Sequence, residues 1–164
     1  MQQRPLIAIE RILVRKDTID SLVTVLREPW VTTAAMADRI QSVFPDIASQ
    51  VCISSAHDNF GDEIVGTELP HLLEHVAIEL LVAEAQLCAG PEQIYTGRTY
   101  WEKGSGPGAQ VQRMKVCLTY NDDFIAIAAL KEALALVRWS EEGSVDDAID
   151  PRAIVHGLHA LRTV

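Results

Sequence analysis

The chain has 164 residues, of which 48% are hydrophobic and 23% charged, and its formal net charge is −9. That length and balance describe one ordinary globular domain over residues 1–164 with a full core, and they exclude a disordered chain. The acidic balance argues against nucleic acid or an anionic membrane surface as the main partner, because phosphate binding needs a basic surface.

Pro5 to Lys16 alternates loosely and is rich in Ile, Leu and Val, which predicts a first strand. Asp17 to Arg27 reads either as a short helix capped by Asp17 or as an extended continuation. Thr32 or Thr33 caps a predicted helix over Ala34 to Phe44, which Pro45 ends. Val51 to Ser55 is a short strand candidate, and His57 to Gly66 is a polar loop. A long apolar helix follows, with Thr67 as its expected N-cap, Pro70 tolerated in the first turn and Gly90-Pro91 as its stop. Gln93 to Trp101 reads as a strand, and Lys103 to Ala109 as a flexible loop. Val111 to Tyr120 reads as a strand with Val111, Arg113, Lys115, Cys117 and Thr119 on one face. Asn121 or Asp122 caps a helix through Ala135 to Trp139, and Asp150-Pro151 opens a last helix to Leu161. The order predicts an α+β fold: a mostly antiparallel sheet with helices packed on one face.

No apolar stretch reaches the roughly 20 residues of a membrane helix, and the N-terminal run carries charges inside it, unlike a signal peptide. Cys52, Cys88 and Cys117 are odd in number and lack CxxC spacing. A disulfide framework is not expected, and a cytoplasmic location is.

The segment His71-Leu-Leu-Glu74-His75 stands out within the central helix. Residues i and i+4 share one helix face, with Cβ atoms about 6 Å apart. Two imidazoles there can converge on one metal ion, with zinc the expected cofactor and another divalent metal the alternative. The order HxxEH places Glu74 as a general base toward a water that the metal activates. The bland reading is a pair of surface histidines beside a salt-bridged glutamate. Against it, Leu69, Leu72, Leu73, Val76, Ala77, Ile78, Leu80, Leu81 and Val82 leave the helix no evident wet face, and histidine and glutamate are costly there unless compensated. Glu79 continues the stripe four residues after His75. It lies about 12 Å along the helix from His71, so a hydrogen bond that orients the His75 ring is easier for it than direct ligation. The third ligand is expected from a loop: Glu102 is the working choice, with His57, Asp62 and Glu63 as the others.

The stretch from Gly66-Thr67 through His71-Leu-Leu-Glu74-His75-Val-Ala-Ile-Glu79-Leu resembles the central helix of the N-terminal domain of cyanophycin synthetase. The resemblance continues in Gly97-Arg98-Thr99, with Glu102 and a Gly/Pro loop after it. It extends to Cys117-Leu-Thr-Tyr120-Asn-Asp-Asp-Phe and the Ala-rich helix beyond, and to Phe44-Pro45 and Cys52 upstream, covering about residues 10 to 140. Cyanophycin is a polyaspartate backbone with arginine on its side chains. The resemblance implies a domain that helps bind this polymer and that, in some members, is like a zinc metallopeptidase and cleaves it. The ligating ATP-grasp and Mur-ligase-like domains of the synthetase are not expected in 164 residues without a GxxxxGK[ST] motif. The loop 103–109 and the region from His57 to Glu63 depart from the family's wording.

The leading expectation is therefore a zinc-dependent hydrolase of amide bonds in a peptide-like or aspartate/arginine-containing substrate, with no nucleic acid or membrane partner and self-association into a homo-oligomer left open. Arg98 and Trp101 are candidate substrate-binding residues. A non-catalytic module that binds a polymer or a partner enzyme is the first alternative. The second is an S-ribosylhomocysteine-lyase-like enzyme, for which Cys88 or Cys117 would supply a cysteine ligand. Cys88 is about 20 Å along the helix from His75, and Cys117 reads as a buried structural thiol. His156 and His159 read as surface or packing histidines, and Trp30 and Trp139 as core or edge aromatics. Gly104-Ser-Gly-Pro-Gly108 lacks the Lys-Ser/Thr of a phosphate loop and reads as a mobile loop.

Overall fold

A computed structural model describes residues 3–52, 58–143 and 147–163. Strand β1 (Ile7–Val14) turns back into β2 (Thr18–Val25), and the two pair antiparallel with a bulge between Ile9 and Arg11. Of the two readings for Asp17 to Arg27 the extended one holds, because β2 is paired on both sides, with β1 and with β4. Helix α1 (Ala34–Val43) follows, with the Thr33 hydroxyl accepting from Met36 N–H at 3.2 Å, and Pro45 begins a 3-10 turn over Pro45–Ser49.

The expected strand at Val51 is reduced to one bridge, Val51 with Asn59, flanked by Phe60 N–H to Gln50 O at 2.9 Å and Cys52 N–H to Asp58 O at 3.0 Å. The rest of that expectation, with His57, lies outside the described residues. A second 3-10 turn, Phe60–Asp62, leads to helix α2 (Leu69–Ala85). Its N-cap is Glu68 rather than Thr67, and no side chain caps it, because the Thr67 hydroxyl is bonded to His71. Strand β3 is shorter than expected, Gly97–Trp101. Strand β4 (Gln112–Thr119) buries Gln112, Met114, Val116 and Leu118, while Arg113, Lys115, Cys117 and Thr119 face the other way and stay half-buried. Helix α3 (Asp123–Glu142) is capped by Asp122 and helix α4 (Pro151–Ala160) by Asp150.

The four strands form one antiparallel sheet in the order β1-β2-β4-β3. The helices cover one face of it, as α+β patterning implies. Strand alternation delivers Ile19, Val23, Val25, Val116 and Leu118 to that face, where they meet α2 and α3. Helix α2 runs through the middle of this layer. Leu69, Leu72, Leu73, Val76, Ala77 and Leu80 are fully buried, which explains why its sequence is apolar nearly all round. Glu84, at its C-terminal end, is buried beneath Arg162 and His159, so the C-terminal segment is tied back to α2 by the Arg162 ion pair and the His159 hydrogen bond. Among the described residues no helix is long and apolar enough to cross a membrane.

Candidate metal centre

The first two turns of α2 present His71, Glu74 and His75 to a cleft of about 1130 Å³. Helix spacing puts the two histidines on one face, and their Nε2 atoms stand 3.1 Å apart. The loop before α2 covers them. Phe60, fully buried, stacks on the His75 ring at 3.7 Å and 14° and meets His71 edge-on at 5.5 Å. The short ladder between residues 50–52 and 58–60 holds Gln50 and Cys52 against the same helix face.

Gln50 fixes the protonation of His75. Its Nε2 donates to the His75 backbone O at 3.1 Å and to Glu79 Oε2 at 2.6 Å. A backbone carbonyl only accepts, so that end of the amide is the NH₂ group and the other end is the oxygen. Gln50 Oε1 is 2.7 Å from His75 Nδ1, which must therefore carry a hydrogen and donate it. The Nε2 of neutral His75 is then a lone pair aimed at His71. Thr67 Oγ1 holds His71 Nδ1 at 2.7 Å. Glu79 thus acts on His75 through Gln50, one residue further out than a direct hydrogen bond between the two.

The residue that joins the histidines is Cys52. Its Sγ is 3.5 Å from His71 Nε2, and ligand atoms of Cys52, His71 and His75 all lie within 4.8 Å of one another. Glu102 is not brought there. It follows β3, does not line the cleft, and its N–H continues the ladder to Arg113 O at 3.1 Å. Of the other loop candidates, Asp62 lines the cleft, Glu63 accepts the Cys52 thiol at 3.1 Å, and His57 is outside the described residues. Cys88 sits instead with Glu84 and His159, and Cys117 lies on the outer sheet face rather than in the core. His159, read as a surface or packing histidine, has a carboxylate partner, Glu84 at 2.9 Å.

The electrostatics suit the two imidazoles as ligands, while Cys52 must lose a proton before it can ligate. Burial lowers the His71 pKa, and burial together with neighbouring His71 lowers that of His75 to about 3, so both rings are neutral at pH 7. Burial, and then the Glu63 carboxylate, push the Cys52 thiol up to about 12. Two neutral imidazoles and, once deprotonated, the Cys52 sulfur would form a nitrogen and sulfur donor set of the kind zinc prefers, and the residue types present fit a borderline-soft divalent ion.

Glu74 lies in the same cleft and is 4% exposed. Its Oε2 accepts the Thr99 hydroxyl from β3. Burial raises its pKa to about 7, and the Thr99 hydrogen bond works in the opposite direction. Gly97 makes room for it: a Cβ there would sit 2.6 Å from Glu74 Cγ and Oε1. Arg98 lines the cleft and lies over the Tyr100 ring, 5.4 Å from its centroid. Trp101 faces Met114 across the ladder, one repeat beyond Thr99, and does not line the cleft. Gln50 and Phe60 have no pattern of spacing that would mark them as site residues, while Thr67 and Cys52 entered only through the family resemblance, with no role in the site attached. Thr99 and Gly97 were visible only within Gly97-Arg98-Thr99.

A family model described as cyanophycin synthase-like N-terminal domain matches residues 23–139, a span that contains every residue of this cleft named above. No curated protein matches the chain.

Proposed function

This chain belongs to the cyanophycin synthase-like N-terminal domain family, and from that membership and the cleft we propose that it is a metal-dependent hydrolase of amide bonds in a peptide-like substrate. The observation that carries the proposal is the convergence of Cys52, His71 and His75 within 4.8 Å beside a buried carboxylate, Glu74, that has no basic partner among the described residues. A zinc or similar divalent ion held by Cys52, His71 and His75 would supply Lewis-acid polarisation of a carbonyl and a lowered pKa for a water at neutral pH.

The chain's own groups perform the rest. His75 keeps its proton on Nδ1, toward Gln50, and offers Nε2. Glu63, 3.1 Å from the Cys52 thiol, is placed to accept the proton that ligation removes. Glu74, buried in the same cleft, takes a proton from water at its carboxylate and returns it to the leaving amine. Thr99 and Gly97 hold that carboxylate in place. Among the described residues Asp62, Glu63, Glu68 and Glu92 line the cleft against one basic residue, Arg98, which favours a cationic side chain such as arginine in the cleft. This supports an aspartate/arginine-containing substrate, related to cyanophycin.

The test is metal content beside hydrolysis of cyanophycin and of arginine-containing peptides. The wild type and Glu74→Gln should each carry about one metal per chain. His75→Ala should carry none, and Glu74→Gln should lose hydrolysis by about 10²- to 10⁴-fold. Metal-loaded protein that hydrolyses none of these substrates would replace the hydrolase with a polymer-binding module.

A further inference from the structure

Strand β3 lies at the end of the sheet and pairs with β4 alone among the described residues. Thr119 N–H donates to Thr96 O at 2.9 Å, and Glu102 N–H donates to Arg113 O at 3.1 Å. In an antiparallel ladder the N–H and C=O of one residue point the same way, and the direction alternates along the strand. Thr96, Arg98, Tyr100 and Glu102 therefore turn their backbone groups toward β4. Gly97, Thr99 and Trp101 turn theirs outward from the free edge.

Gly97 and Thr99 are also the two residues that pack against and bond Glu74, and both line the cleft. The open row of backbone donors and acceptors thus runs beside the proposed base. An unpaired strand edge is a template for another strand. The cleft rim adds three aliphatic side chains that the fold leaves outside its core: Val51, Val65 and Ile94 are 75%, 58% and 83% exposed. They come from loops on both sides of α2, where alternate side chains of an extended chain would meet them.

We propose that the cleft takes its substrate as an extended polypeptide backbone that adds to the free edge of β3, hydrogen-bonding Gly97 and Thr99, and so lays an amide beside Glu74 and the His71–His75 pair. This rests on the hydrolase reading and narrows it to substrates with a continuous main chain of N–H and C=O groups. Main-chain bonds give such strand addition its affinity, and side-chain pockets its selectivity.

The test uses three probes on zinc-loaded protein: acetohydroxamate, acetyl-Ala-Arg-hydroxamate and the same peptide hydroxamate with both backbone amides N-methylated. Affinity and amide hydrogen exchange at Gly97 and Thr99 are read together. The peptide hydroxamate should bind at least about tenfold tighter than acetohydroxamate, the worth of one or two net hydrogen bonds, and should slow exchange at both amides. N-methylation should abolish both effects. Equal binding of the methylated and unmethylated peptides, or unchanged exchange at Gly97 and Thr99, overturns strand addition, while acetohydroxamate binding leaves the metal site standing. Protein that takes up no zinc overturns both.

Discussion

Gln50 Oε1 and His75 Nδ1 stand 2.7 Å apart, and through that contact a residue from a loop 25 positions upstream sets the tautomer of the helix histidine. The same amide also grips Glu79 at 2.6 Å. Partners of this kind orient a ligand ring, and their loss typically weakens metal binding about 10- to 100-fold. Gln50→Leu should do so, because it leaves His75 Nδ1–H buried without an acceptor. Glu79→Gln should have a smaller effect, since Gln50 keeps its bond to the His75 carbonyl. Competition with a chelator of known affinity measures both. Unchanged affinity in Gln50→Leu would mean that Phe60 stacking alone orients the ring.

The 3.1 Å contact between the two Nε2 atoms implies a tautomer change at His71. Gln50 commits His75 Nε2 to being an acceptor, so in the metal-free chain His71 must donate from Nε2 and accept the Thr67 hydroxyl at Nδ1. Ligation through Nε2 requires the reverse, with His71 Nδ1–H donating to Thr67. Nitrogen chemical shifts should therefore show His71 moving from the Nε2–H to the Nδ1–H form on metal addition. His75 should stay Nδ1–H throughout. A His71 ring already Nδ1–H in the metal-free protein would contradict the assignment.

Glu74 depends on two residues of β3. Gly97→Ala would place a methyl carbon 2.6 Å from the Glu74 side chain, so the carboxylate must move while the metal ligands are untouched. Hydrolysis should fall with metal content retained. Thr99→Val removes a donor that favours the ionised form, so the Glu74 pKa should rise from about 7. The base must be ionised to act. The acidic limb of the pH–rate profile should therefore move to higher pH in Thr99→Val. A shift to lower pH would rule out Glu74 as the titrating base.

Much of the fold was legible because it is periodic. The alternation in β4 and the capping residues Thr33, Asp122 and Asp150 follow from local rules, and their elements form where those rules place them, while α2 forms as expected but ends at Ala85, before the Gly90-Pro91 stop. Thr67 is the exception: as a sequence signal it is an N-cap, but its hydroxyl serves His71 instead. The helical part of the cleft was legible for the same reason, since HxxEH spacing guarantees that His71 and His75 converge. Gln50 was not, and Cys52 was visible only through the family resemblance and without its place beside the histidines, because both reach the helix through a loop closed by the Val51–Asn59 bridge, and no spacing rule encodes that closure. Glu102 was chosen as a loop residue close to a strand end, and proximity along the chain did not bring it into the cleft.

At the other end of α2, Glu84 is fully buried and receives Arg162 through both nitrogens, Nε at 2.6 Å and Nη2 at 2.9 Å, with His159 at 2.9 Å. Burial pushes the Glu84 pKa up, but the hydrogen bonds from Arg162 and His159 outweigh it, and the net shift is downward. A carboxyl with a folded pKa below its unfolded value binds fewer protons when folded. Its contribution is therefore fully present above the unfolded pKa, near 4.5, and is lost as pH falls through the folded value. Arg162→Met reverses the sign: burial then dominates, the Glu84 pKa rises above its unfolded value, and the penalty grows as pH rises. Removing one partner of a buried pair costs about 3 kcal/mol or more. Urea unfolding from pH 4 to pH 8 should show wild-type stability rising through the acid range and the loss in Arg162→Met widening toward neutral pH. A loss that stays constant with pH would mean that Arg162 holds the last helix by packing rather than by charge.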